Sequence, residues 1–136
     1  MRVAGLGRSG KGLLFPTVRE SLADVLSDRD LASLGDAYVN FAYSLALSNR
    51  RRKPVGVRVK GTVLAEALRR AGLREILGSG MSRHALADAA EALLVYAWLN
   101  GHVSLDECVS ALSKTEDTVK ALTALLTTAK TKVTFA

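Results

Sequence analysis

Ser82–Gly101, SRHALADAAEALLVYAWLNG, is the stretch on which the fold turns. From Ala85 to Leu99 every residue is apolar or small except Asp88 and Glu91. At the helical period this run is apolar around its whole circumference, so it reads as the buried central helix of an all-α bundle, with Ser82 as its cap. It is too short and too charged to cross a bilayer. Asp88 and Glu91 are three residues apart and share one face. Carboxylates on a buried helix are costly unless something positive meets them. A divalent cation is one such partner, and a Lys or Arg is another.

A second stretch has the same character. Leu31–Asn49, LASLGDAYVNFAYSLALSN, carries a stripe at Leu31, Leu34, Tyr38, Phe41 and Leu45. The other side holds Ala32, Val39, Tyr43 and Leu47, so this helix also reads as buried nearly all round. Asp36 is its only charge. Two core helices whose charges are Asp36, Asp88 and Glu91 suggest one shared acidic site. Pairing of each acid with a basic residue from a neighbouring element is the alternative, and the pattern leaves both open.

Composition sets the frame. A chain of 136 residues, 49% hydrophobic and with two prolines, makes one domain with a sizeable core and excludes disorder. The net charge of +6 and the sequence pI of about 9.8 favour a polyanionic partner, with a basic but inert surface as the alternative, and no membrane partner is expected. A single cysteine cannot form an internal disulfide, which suits a reducing compartment. Cys108 shares a face with Leu105, Val109 and Leu112 and reads as core packing. The first residues carry Arg2, Arg8 and Lys11 without an apolar run, so a cytoplasmic protein is expected.

Along the chain, residues 1–16 read as a basic N-terminal arm, 17–130 as the helical domain and 131–136 as an extended or frayed tail. Gly5, Gly10 and Lys11 have the spacing of a phosphate-binding loop. The arm lacks the preceding strand, and Gly12 stands where that loop needs Ser or Thr. Thr17 with Glu20, Ser104 with Glu107, and Ser113 with Glu116 each have capping-box spacing. Ser27 or Asp28 offers a cap for the helix that carries Asp36. Between Asn49 and Lys60 the sequence NRRRKPVGVRVK concentrates Arg50, Arg51, Arg52, Lys53, Arg58 and Lys60 around Pro54 and Gly56. Such a loop either grips phosphates or is a solvated offset to the buried acids. Val55, Val57 and Val59 alternate as in a short strand. Helical spacing resumes from Lys60 to Ala71, with Gly72 as its terminator, and residues 73–80 read as a short helical turn and a loop. His84, one turn before Asp88, is a possible auxiliary or a simple helix-end residue.

Three of these stretches resemble the ribonuclease III endonuclease domain. LASLGDAYV (31–39) is similar to that family's signature E-x-L-E-F-L-G-D-A/S-x-L, and LADAAEALLVYAWLNG (86–101) to A-D-x-x-E-A-L-I-G-A-x-x-L-D. KGTVLAEALRRAGLREILGSG (60–80) resembles the segment between them. The resemblance implies an all-α helical bundle, homodimeric, that hydrolyses double-stranded or structured RNA with Mg²⁺, or with Mn²⁺ in its place. Carried over, the catalytic and metal-binding residues are Asp36, Asp88 and Glu91, which the buried-charge argument had already selected. RNA is then held by Arg50, Arg51, Arg52, Lys53, Arg58 and Lys60 of the domain itself, because the double-stranded-RNA-binding domain of full-length members is not seen. Two signature glutamates are replaced, by Ala32 and by Arg29, and Arg29 becomes a second possible auxiliary. The mini-ribonuclease III subfamily also has Ala before its G-D-A motif, but lacks the equivalent of Asp88. The replaced glutamates keep a second class of function in view: a ribonuclease-III-like RNA-binding or scaffold protein without catalysis.

Overall fold

The computed structural model describes residues 12–136. Among them are seven helices and no strand: α1 (Leu22–Leu26), α2 (Arg29–Arg51), α3 (Gly61–Arg70), α4 (Arg74–Leu77), α5 (Arg83–Leu99), α6 (Leu105–Ser113) and α7 (Thr118–Lys132). Gly5, Gly10, Arg8 and Lys11 lie outside the described residues.

The all-apolar reading of α5 holds. From Leu86 to Leu99 its residues are buried except Asp88 and the partly covered Trp98, and it packs against α1, α2, α3 and α7. Its Ser82 cap accepts a hydrogen bond from the Ala85 amide at 3.1 Å. Asp28 caps α2 through the Leu31 amide at 3.0 Å. Ser104 and Glu107 form the expected reciprocal box on α6. Gly72, at φ +76°, follows α3 in the left-handed conformation that ends a helix. Cys108 is buried and accepts a hydrogen bond from the Tyr38 hydroxyl at 3.3 Å.

Two expected helix starts are corrected, each by a long-range contact or a better local cap. Thr17 does not open a helix; α1 starts at Leu22 under a Ser21 cap. The Thr17 carbonyl, which would be a first helical acceptor, is taken by Asn100 Nδ2 at 2.8 Å, and the Arg19 amide by the Tyr96 hydroxyl at 3.2 Å. Ser113 and Glu116 do not cap the last helix. Ser113 ends α6 with its hydroxyl on the Val109 carbonyl, and Asp117 caps α7 through the Lys120 amide. The C-terminal residues are extended but not frayed. Val133 is buried, Tyr96 donates to the Thr134 carbonyl at 2.7 Å, and the Ala136 amide bonds the Arg19 carbonyl. The fully buried Tyr96 thereby ties Arg19 and Thr134 to the central helix.

The alternating valines make no strand. Val55 and Val57 donate their amides to Ser48 Oγ and Ser44 Oγ, both at 2.9 Å, and Val59 donates to Asn40 Oδ1 at 2.7 Å. Residues four apart on a helix advance about 6 Å. Residues two apart on an extended chain advance about 6.6 Å. The near match lets Asn40, Ser44 and Ser48 of α2 lace the loop as a neighbouring strand would.

Candidate functional site

The site lies where α2 crosses α5, and Gly35 sets how close they come. A Cβ added to Gly35 would overlap the backbone carbonyl of Glu91 and lie 3.0 Å from the Glu91 Cβ. Mid-helix glycine costs roughly 1 kcal/mol relative to alanine, and here it permits a contact no other residue allows. The crossing sets Asp36, the next residue of α2, against Glu91.

Glu91 is 6% exposed and is the one buried charged residue among those described. Its carboxyl is pushed up to about 8, first by burial, then by the hydrogen bond and charge of Asp36, with Asp88 adding to the effect and Arg58 opposing it. Near neutral pH the protonated form, facing Asp36, is therefore favoured. For Asp36, burial acts upward, but hydrogen bonds from Glu91, Arg58 and Asn40 and the Arg58 charge outweigh it and hold the group below the usual carboxylate range. Arg58 Nη2 straddles both Asp36 oxygens, at 2.8 and 3.1 Å, and Asn40 Nδ2 donates to Oδ1 at 3.1 Å.

Asp36, Asp88 and Glu91 line one open cavity of about 400 Å³ together with Arg29, Ala32 and Ser33. Asp88 is not a buried acid, as the apolar run suggested; it is exposed at the rim. Asp36 is half-buried, its side chain 40% exposed. Arg29, Ala32 and Asp88 also border an adjoining groove that runs to Leu26, Leu77 and Met81. His84 is exposed and lines neither cavity. Of the basic loop, Arg50 is spent on the Thr115 carbonyl at 3.0 Å and Arg58 on Asp36. Arg51, Arg52, Lys53 and Lys60 are exposed. Sequence reasoning missed Ser33, the Asn40 bridge and the part played by Gly35. A glycine inside a strongly helical run was the available signal for Gly35.

The family model described as Ribonuclease III matches residues 29–134, most of the chain and all of this site. The chain belongs to the ribonuclease III family. Membership carries RNA endonuclease chemistry as its general function and the all-α domain as its fold. No curated protein matches the chain. No helix among the described residues is long and apolar enough to cross a membrane.

The donor chemistry suits the Mg²⁺ that this family implies: Asp36, Asp88 and Glu91 offer hard carboxylate oxygens. In this structure the three line one cavity without being gathered into a single group. Among the described residues no three His, Cys, Asp or Glu side chains are grouped so as to hold an ion. Asp36 is turned to Arg58, Glu91 is buried, and Asp88 faces solvent.

Proposed function

We propose that this ribonuclease III domain is a divalent-metal-dependent endoribonuclease acting on double-stranded or structured RNA as a homodimer, with Asp36, Asp88 and Glu91 as its acidic centre. The observation that carries the reading is Glu91. A buried acid kept at a crossing only glycine permits, set beside a second acid and lining a solvent cavity, is costly as structure and useful as chemistry. A Mg²⁺ or Mn²⁺ ion supplies, when bound, an activated water and neutralisation of the leaving oxygen. The chain's own part is to present carboxylate oxygens from two helices and to hold the duplex beside them. Exposed Arg51, Arg52, Lys53 and Lys60 suit sequence-independent phosphate contacts. Leu34 and Phe41 supply an apolar face for an isologous contact: they stand 41% and 55% exposed, two turns apart on α2. The single buried thiol fits a reducing compartment, and we place the protein in the cytoplasm.

A second reading, RNA binding without cleavage, is favoured by Ala32 in the cavity wall and by the absence of a three-donor group among the described residues. Incubation with duplex RNA in Mg²⁺ or Mn²⁺ separates the two. Cleavage by the wild-type chain, slowed on the order of 100-fold or more in Asp36→Asn and Glu91→Gln, is the expected result. Tight duplex binding with no cleavage in either metal establishes the second reading instead.

A further inference from the structure

Asp36 already has a cation. Arg58 Nη2 bridges its two oxygens. The loop behind that arginine is pinned on both sides, by Val57 to Ser44 and by Val59 to Asn40, while Asn40 also holds Asp36. The backbone is thus fixed where the guanidinium reaches the carboxylate. The side chain itself is loosely held. It is 73% exposed, and one nitrogen makes both contacts in place of a two-nitrogen fork. Exposed ion pairs of this kind are weak and exchange readily.

We propose that Arg58 is an internal counter-ion of the acidic centre: it competes with a divalent cation for Asp36, and once displaced it joins the phosphate-binding face. This deepens the reading of the cavity as a metal-dependent RNA site and rests on it. Cation and RNA then favour each other: the cation releases Arg58 to phosphate, and phosphate draws Arg58 away from Asp36.

Two measurements test this on the full chain. The first is Mn²⁺ affinity without RNA, from the paramagnetic resonance of the free ion. Arg58→Gln should bind Mn²⁺ roughly 3-fold to 10-fold more tightly than wild type, and Arg58→Lys should fall between. A purely structural arginine predicts the reverse, because losing it would disorder Asp36. The second is the salt dependence of duplex RNA binding in chelator, where no cleavage occurs. Asp36→Asn frees the arginine and should steepen the slope by about one phosphate contact, and the Asp36→Asn/Arg58→Gln pair should lose that gain. Equal Mn²⁺ affinity in wild type and Arg58→Gln, with Glu91→Gln binding more weakly, overturns the inference and leaves the metal site standing. No saturable Mn²⁺ binding in any variant overturns both. Identical salt slopes in Asp36→Asn and the double variant overturn the phosphate role.

Discussion

Helices α2 and α5 look alike in sequence and differ in the structure. Both read as buried on every side. Helix α5 is buried from Ala89 to Ala97, because four helices surround it. Helix α2 packs chiefly on α5 and α6 and is laced to the loop at 55–59, which leaves Leu34 and Phe41 in solvent. Periodicity tells which residues share a face; the number of neighbours decides which faces are covered. The bare apolar face of α2 is the one a second copy would cover in the proposed homodimer.

Four substitutions probe that contrast, ordered by their effect on folding. Leu93→Ala, in the fully buried heart of α5, should cost about 2–5 kcal/mol in denaturant unfolding. A loss comparable to a surface change would show that α5 is not the core. Gly35→Ala should cost about 1–3 kcal/mol despite alanine's better helix propensity, because the clash is with backbone that cannot step aside. A net gain in stability would mean the helices are not in contact there.

Glu91→Gln removes a titration and leaves the packing. The native carboxyl sits at about 8 against an ordinary 4.5, so the folded state binds this proton more tightly than the unfolded chain. The penalty for ionising it is absent below pH 4.5, grows through the window up to 8 and is complete above it. Metal-free wild type should therefore lose stability across that window relative to Glu91→Gln, by roughly 1–3 kcal/mol once solvent access is allowed for. Parallel pH–stability curves for the two would remove the coupled acid pair. Phe41→Asp comes last: it should change the monomer's stability by no more than about 0.5 kcal/mol. Its effect is expected in light scattering, as a shift from dimer to monomer at micromolar concentration. A wild-type monomer would remove α2's role as an interface.

The parts legible in the sequence were local. Helix α5, the Asp28, Ser82 and Ser104–Glu107 caps and the Gly72 terminator each depend on residues within a turn or two. The misread Thr17 shows the limit. Its capping-box partner is near, but the competing donor is Asn100, far along the chain. The acids Asp36 and Glu91 stood out because charge is rare in such helices. Their pairing with each other, and the claim of Arg58 on Asp36, depend on a crossing distance that no spacing encodes. The lacing of the loop left a trace in Asn40, Ser44 and Ser48 at four-residue intervals beside valines at two-residue intervals, a match visible only when the two periods are converted to lengths.

The claim that the Asp36–Glu91 crossing is a divalent-cation site is tested most directly by the protons that binding releases. Titration calorimetry with Mg²⁺ or Mn²⁺, repeated in buffers of different ionisation enthalpy, counts them. Glu91 holds its proton until about 8, so at pH 6.5 close to one proton should leave for each ion bound, and the release should fade as the pH passes 8. Ion binding that releases no proton at pH 6.5, or that persists unchanged in Glu91→Gln, would contradict the account.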